Sequence, residues 1–360
     1  MTAIIIDMNK RDPLTSLERV SLALQYKQPD RVPVAPLVCG ASHRVLGITY
    51  DRWSQDADLA VQSLLDAQEL IGFDAWLTLV DLSVEAYDFG QEVIFPRAST
   101  AYPNTDNPRI KTVEDYYRLE KVDPLKTKRM RHVIDIVAGL SRAKGQEIAI
   151  NGFVYGPLGV LSQIRGHERL FKDLIRQPDA VLHAVELITG VLEIYAREQV
   201  RAGAHAVVLD PLYSSRSVLS KETWEKFEGP FSKRIADAVR DEGGLVVVHN
   251  CGGGVYFDAV IKWISPIAIS HAYPAFDCTT WEEHADRWGR EVVTIGYSDP
   301  ANISFLLRPE EVIEDCRKQL ETFKNVDHGF ILSTGCEFPP NGNLLNARAM
   351  VEAAKIYGSN

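Results

Sequence analysis

No apolar run in this chain of 360 residues approaches the ~18 residues needed to span a bilayer, so no membrane span is expected. Positive charge is also scarce. Lys and Arg number 39 against 49 Asp and Glu, a formal net charge of −10, and without a basic field a phosphate backbone has nothing to bind. Nucleic-acid binding is therefore not expected. Cysteines are few and odd in number, five in all, which does not describe a disulfide framework. The segment Met1 to Asp7 carries a short apolar run with no basic stretch before it, unlike a secretory signal. These absences predict a cytoplasmic protein whose thiols are free, catalytic or metal-bound. No Walker lysine, G-x-S-x-G elbow, H-E-x-x-H or C-x-x-C pair occurs, so the chemistries those motifs carry have no footing here.

What is present is an ordinary globular composition, 46% hydrophobic and 24% charged, arranged as apolar runs alternating with amphipathic stretches. The strand-like runs are Val32–Val38, Ala75–Val80, Ile148–Phe153, Ala204–Asp210, Leu245–Cys251, Ile267–Ser270, Val292–Tyr297 and Phe330–Thr334. Helical patterns cover Gln55–Ile71, Arg129–Lys144, Asp179–Ala202, Lys221–Asp241, Thr280–Trp288, Pro309–Phe323 and Leu344–Tyr357. Thr15-x-x-Glu18 announces an opening helix with a capping box. Continuous runs such as Leu245-Val246-Val247-Val248 suit parallel strands buried on both faces. Eight strands, most followed by a helix, predict an α/β fold of the (β/α)8 TIM-barrel type, with a doubly wound open sheet as the rival. Tyr87–Leu125 breaks the alternation and holds Pro96, Pro103, Pro108 and Pro124. The expectation is one domain over residues 1–360, with an N-terminal helical extension at 1–30 and an insertion at 87–125 after the second strand.

A barrel builds its active site from strand ends and the loops that follow them, which turns the polar residues into a map. The first strand leads to Cys39 and His43, the second to Asp81 and Glu85, the third to Asn151 and Tyr155, and the fourth to Asp210. The fifth leads to His249 and Cys251, the sixth to His271 and Tyr273, the seventh to Tyr297 and Asp299, and the eighth to Cys336 and Glu337. His249 and Cys251 are two apart on an extended run, so both point to one side. With Cys336 they offer one imidazole and two thiolates, good donors for Zn²⁺ with a fourth position open. The bland alternative is two small buried cysteines and a satisfied histidine. Asp81, Glu85 and Asp210 are candidate bases or a fourth metal ligand. Alternatively they cap loops or pair with Arg44, Arg165 or Arg216. Tyr155, Tyr273, Tyr297 and Asp299 are candidate substrate contacts, against simple packing at the rim. Gly252 to Gly254 read as a turn rather than a phosphate loop, and Cys278 and Cys316 as packing residues.

Several segments together resemble the uroporphyrinogen decarboxylase superfamily, and within it the zinc-dependent corrinoid methyltransferase branch. They are Pro29-Asp30-Arg31-Val32-Pro33-Val34, Asp81-Leu-x-Val-Glu-Ala, Gly156-Pro157-Leu158, Asp210-Pro211, His249-x-Cys251-Gly252, Gly335-Cys336-Glu337-Phe338-Pro339 and Asn346. The resemblance runs from about Leu17 to Tyr357. It implies that His249, Cys251 and Cys336 are zinc ligands. It also implies methyl transfer between a small molecule, a thiol or a methyl ether, and the cobalt of a corrinoid (cobalamin) on a partner protein. The tyrosines tilt this expectation slightly towards an aromatic methyl ether. A decarboxylase of an octacarboxylate porphyrinogen calls for an arginine-rich loop after the first strand, whereas Val38–Arg44 holds one arginine. Strand seven ends Gly296-Tyr297-Ser298-Asp299-Pro300, where the branch commonly has Gly-Asn-x-Asp-Pro. No Asp-x-His-x-x-Gly cobalamin signature occurs, so the corrinoid is expected on a separate protein that docks over the mouth, with the 87–125 insertion as a contact. A metal-free decarboxylase and a non-catalytic zinc- or corrinoid-protein-binding barrel remain as rivals.

Overall fold

The computed structural model describes residues 13–359, so the first twelve residues of the expected extension lie outside the described residues. Nine strands are present among the described residues: β1 Ala75–Leu77, β2 Val93–Ile94, β3 Tyr102–Pro103, β4 Ala149–Tyr155, β5 Ala206–Asp210, β6 Leu245–Asn250, β7 Ala268–His271, β8 Val293–Ser298 and β9 Phe330–Thr334. Seven form one sheet in the order β1-β4-β5-β6-β7-β8-β9, and β2 and β3 make a separate antiparallel pair within the expected insertion. Every pairing in the large sheet is parallel, and helices cross between successive strands, giving a TIM-barrel-like α/β fold. Among the described residues, no helix is long and apolar enough to cross a membrane.

The run expected as the first strand, Val32–Val38, is not a strand. It makes one isolated parallel bridge, Val34 to Leu332. Pro33 and Pro36 have no N–H to give to a ladder, so an apolar pattern that reads as a strand cannot sustain one. The segment still occupies a strand's place. Ala35 N donates to Leu332 O at 2.8 Å and Leu332 N to Pro33 O at 2.9 Å, while Asp74 N donates to Val34 O at 2.7 Å. It thus touches β9 on one side and the approach to β1 on the other.

Asp74 anchors this seam. Its fully buried carboxylate accepts from Arg19 Nη1 at 2.7 Å, Arg31 Nη1 at 2.8 Å, Ser16 Oγ at 2.8 Å and Val34 N at 2.8 Å. The opening helix Ser16–Leu24 begins with the Thr15–Glu18 capping box expected from sequence. Its Arg19 also pairs with Asp30 at 2.6 Å. Side chains of Ala35, Leu37, Leu77, Asn151, Val208, Val247, His249, Ser270 and Ile295 surround one cavity of about 40 Å³ at the centre of the sheet's concave face.

Helices Arg129–Lys144 and Leu344–Tyr357 have the bounds read from sequence. The stretch Lys221–Asp241, expected as one helix, is two: Lys221–Phe227 and Gly229–Asp241. Pro230 cannot donate back to Lys226, and Glu228 leaves helical geometry at φ −135°. Helices Pro157–Arg165 and His167–Arg176 were not anticipated; a proline follows the N-cap of the first, a place where its missing N–H costs nothing.

Outside β7 and β8, Phe257, His271, His284, Trp281 and Trp288 pack as an aromatic cluster. Ala275 N donates to His284 Nδ1 at 3.3 Å, so the ring's other nitrogen carries the proton facing Thr294 Oγ1. Burial pushes this imidazole down from 6.5 to about 2. The folded state therefore keeps His284 neutral while the unfolded chain protonates below pH 6.5, and stability is lost as pH falls through that value. Between pH 7.5 and 5 the loss from this one group is about 2 kcal/mol, from 1.36 kcal/mol per unit. Urea unfolding at both pH values is expected to show the wild type losing about that much more than His284→Gln. Equal losses would contradict the assignment.

Candidate metal centre

β6 ends in His249 and Asn250, and Cys251 follows directly; Cys336 lies two residues beyond β9. The ligand atoms of His249, Cys251 and Cys336 all lie within 4.8 Å of one another. His249 Nδ1 is 3.0 Å from Ser270 Oγ, on the neighbouring strand in register with it. Asn250 alternates to the other side and ties two loops together. Its Nδ2 donates to Pro211 O, Leu212 O and Ser214 Oγ, and its Oδ1 accepts from Gly252 N at 2.8 Å, which turns the chain after Cys251. Close approach explains two glycines. A Cβ on Gly252 would sit 2.4 Å from Ser215 Oγ, and one on Gly335 would sit 2.7 Å from the Ala272 backbone. Gly335 N donates to Ser298 O at 2.8 Å, holding Cys336 over the β8–β9 edge.

The proximity of the two sulfurs lowers the Cys251 thiol and, together with burial, raises Cys336. Burial opposes protonation of His249, yet the neighbouring Cys336 and the charges of Asp210 and Glu337 raise it overall. One imidazole and two sulfurs so placed suit a divalent ion that prefers N/S donors, with a fourth position free. Two carboxyl groups adjoin the trio. Asp210, at the end of β5, is pushed up by burial to about 6 and feels His249; its Oδ1 is buried without a hydrogen-bond partner among the described residues. Glu337 is pushed up by burial, and then by Cys336, to about 8.

The other carboxylates named from sequence stand elsewhere. Asp81 is locked to the buried Arg129, with Nη2 at 2.8 Å from Oδ2 and Nη1 at 3.2 Å from Oδ1, and also accepts from Ser83 N. The arginines expected as partners are engaged otherwise: Arg165 with Asp173 at 2.7 Å, Arg44 with Gly342 O and Arg216 with Phe276 O. Glu85, on the short helix Val84–Asp88, accepts from Tyr155 N at 3.0 Å. β4 outruns β1 beyond Leu77, and its open edge is satisfied by Glu85 and by Gln199, which exchanges two bonds with Phe153. Burial raises Glu85 to about 8.

The tyrosines do not gather. Tyr297 stacks on Trp281 at 3.6 Å and 12° and lies against Phe323, so it faces the helix layer rather than the mouth. Tyr155 is fully buried beside Asp210 in the β4–β5 register. Tyr273 is 55% exposed at the rim. Asp299 is exposed and caps the following turn through Ala301 N and Asn302 N. Sequence reasoning missed two residues and left a third without a role. The sequence places Glu337 at the mouth after the eighth strand but gives it no role beside Cys336. Ser270 is tied to His249 only through strand register, which the sequence does not display. Glu228, buried and raised to about 8, accepts from Leu158 N and Trp224 Nε1 and fixes the helix after β4; it was hidden inside an expected helix.

A family model described as Uroporphyrinogen decarboxylase (URO-D) matches residues 15–357. The chain belongs to the uroporphyrinogen decarboxylase family. Two curated relatives of this family member carry different names. "Methylcobamide:CoM methyltransferase MtbA" of Methanosarcina acetivorans is 26% identical over 349 residues, covering 95% of this chain and 98% of that protein. "Uroporphyrinogen decarboxylase" of Anaeromyxobacter dehalogenans is 25% identical over 354 residues, covering 94% and 98%. Among solved structures, a methyltransferase from Methanosarcina mazei shares the fold with a TM-score of 0.81 at 20% identity, covering 96% of this chain and 99% of that one.

If the trio binds metal, the wild type purified under reducing, chelator-free conditions carries about one equivalent of zinc, and Cys336→Ala loses most of it. Elemental analysis of both proteins decides this. A zinc-free wild type, or a variant loaded equally well, would remove the metal assignment.

Proposed function

We propose that this family member transfers a methyl group between the cobalt of a corrinoid on a separate protein and a small molecule held at His249, Cys251 and Cys336. The observation that carries the reading is the convergence of those three donors at the ends of β6 and β9. The full-length likeness to proteins named methylcobamide:CoM methyltransferases favours a small thiol as the other methyl carrier. The aromatic-ether alternative loses its motive once Tyr297 packs against Trp281. Zinc held by the trio would supply Lewis acidity, keeping a coordinated thiol deprotonated at neutral pH.

The chain's own residues supply the rest. His249, Cys251 and Cys336 fix where the small molecule's reacting atom sits. Asp210, with Oδ1 unpaired, is available to accept a hydrogen bond from that molecule. Asp81 with Arg129, and Glu85 with the β4 edge, hold the mouth rigid from behind. Tyr273 and Asp299 stand on the rim, where they can contact the incoming molecule or its carrier. Tyr155 backs Asp210.

We read the bonds at residues 33–35 as closing the sheet into a (β/α)8 barrel, with residues 1–30 as an extension and 87–125 as an insertion at its rim. A barrel interior packed with side chains leaves no room for a corrinoid, so the partner must present cobalt from above the mouth. The insertion reaches that region: Asn341 Nδ2 donates to Ala98 O at 3.1 Å. A reducing cytoplasm would keep the two thiols available as ligands.

The test is a visible spectrum of methylcobalamin with the zinc-loaded protein and a panel of small thiols and methoxyarenes, under anoxic conditions. Loss of the methyl-Co(III) spectrum with a thiol, at a rate cut at least ~100-fold in Cys251→Ala, is the expected outcome. No thiol reacting as methyl acceptor and no methoxy compound methylating Co(I) would reject the proposal.

A further inference from the structure

His249 is held from behind by one residue. Ser270 lies opposite it in the β6–β7 register, both side chains are buried, and Oγ stands 3.0 Å from Nδ1. The ligand atoms of His249, Cys251 and Cys336 lie within 4.8 Å of one another, so with Nδ1 engaged by Ser270 the ring's other nitrogen is the one left for the trio. Neither Asp210 nor Glu337, the carboxylates beside the trio, has a hydrogen bond to Nδ1. A hydroxyl that accepts from Nδ1–H leaves Nε2 as the bare lone pair, and it stops the ring from turning about its own axis without breaking the bond. Metal-bound histidines are commonly fixed in this way by an outer partner.

We propose that Ser270 is the positioning residue of the metal centre: its hydroxyl holds His249 in the Nδ1–H tautomer with Nε2 presented to Cys251 and Cys336. This inference rests on the metal reading above. It predicts a loss in ligand quality when the hydroxyl is removed, and a recovery when a hydroxyl is restored in another side chain. Threonine can supply it. Ser270 lines the cavity of about 40 Å³ on the sheet's concave face, which has room for one more methyl group, and a β-branched residue suits a buried strand.

The experiment measures zinc affinity by competition with a chromophoric chelator, on metal-stripped wild type, Ser270→Ala and Ser270→Thr, alongside the melting temperature of each stripped protein. Ser270→Ala should bind zinc ~10- to 100-fold more weakly. Its stripped form should melt within about 2 °C of the wild type, and Ser270→Thr should return to within about threefold of wild-type affinity. Nitrogen NMR of His249 in the stripped proteins adds a readout that packing alone would not move. The Nδ1–H form should dominate in wild type and Ser270→Thr and give way to a tautomer mixture in Ser270→Ala. Unchanged zinc affinity in Ser270→Ala overturns the positioning role while leaving the metal assignment intact. A lowered melting point in Ser270→Ala without rescue by threonine assigns Ser270 to packing and also overturns it. A wild type that binds no zinc at all removes the metal reading and this inference together.

Discussion

A carboxylate with no access to solvent holds the seam of this molecule. Asp74 takes hydrogen bonds from two arginines, a serine and the backbone of Val34. A buried charge of this kind is tolerable only when fully paired, and breaking such a pair costs about 3–5 kcal/mol. The segment it grips makes only an isolated bridge and a few backbone bonds, because Pro33 and Pro36 interrupt its donors. Side-chain charge therefore adds here to the few backbone bonds where a full ladder would serve elsewhere in the sheet. The consequence reaches the mouth. From the anchored segment, Leu37 N donates to Thr334 Oγ1, and Leu37 O accepts from Phe338 N. These bonds bracket Cys336 and bring it to His249.

Around the trio the balance of charge runs the other way. Cys251, Cys336, Asp210 and Glu337 can all carry negative charge, and burial holds the two carboxyl groups at about 6 and about 8. Desolvation disfavours each anion, and neighbouring anions disfavour one another. A bound dication would invert that arrangement by stabilising the ionised forms of the same groups. A divalent ion held by the trio would therefore meet complementary charge on every side.

Much of this was legible in the sequence because it is local. Seven of the eight apolar runs coincide with strands, since β-branched stretches such as Val246–Val248 have few other places to go. His249 and Cys251 share a face because alternation is a property of any extended run. What escaped depends on long-range pairing. The partner of Asp81 is Arg129, on a helix 48 residues later, where no spacing rule reaches. Tyr297 turns to the helix layer because Trp281 offers it a stacking face. The break at Glu228 follows from Pro230, a visible signal outweighed by a continuous amphipathic pattern on both sides. The strand that never formed had its prolines in plain view, but hydrophobicity alone does not register a missing donor.

The same accounting separates the two activities named among the relatives. Four arginines are buried among the described residues: Arg19, Arg31, Arg129 and Arg165. Each is already paired with an aspartate of this chain, namely Asp30, Asp74, Asp81 or Asp173. A polycarboxylate such as a porphyrinogen would need guanidinium groups to spare, because bidentate arginine forks are what recognise carboxylates in a desolvated site. This mouth instead offers acceptors: an unpaired oxygen on Asp210, a raised Glu337 and two sulfurs. An acidic substrate would meet carboxyl groups and sulfurs there rather than guanidinium forks, whereas a metal ion with a small neutral or thiol ligand would meet donors suited to it. Strand-end residues can be exchanged in this way without touching the Asp74 seam, which lies at the far end of the strands. A TIM-barrel-like fold can support more than one chemistry through the residues at its mouth, and the relatives carry the names of both.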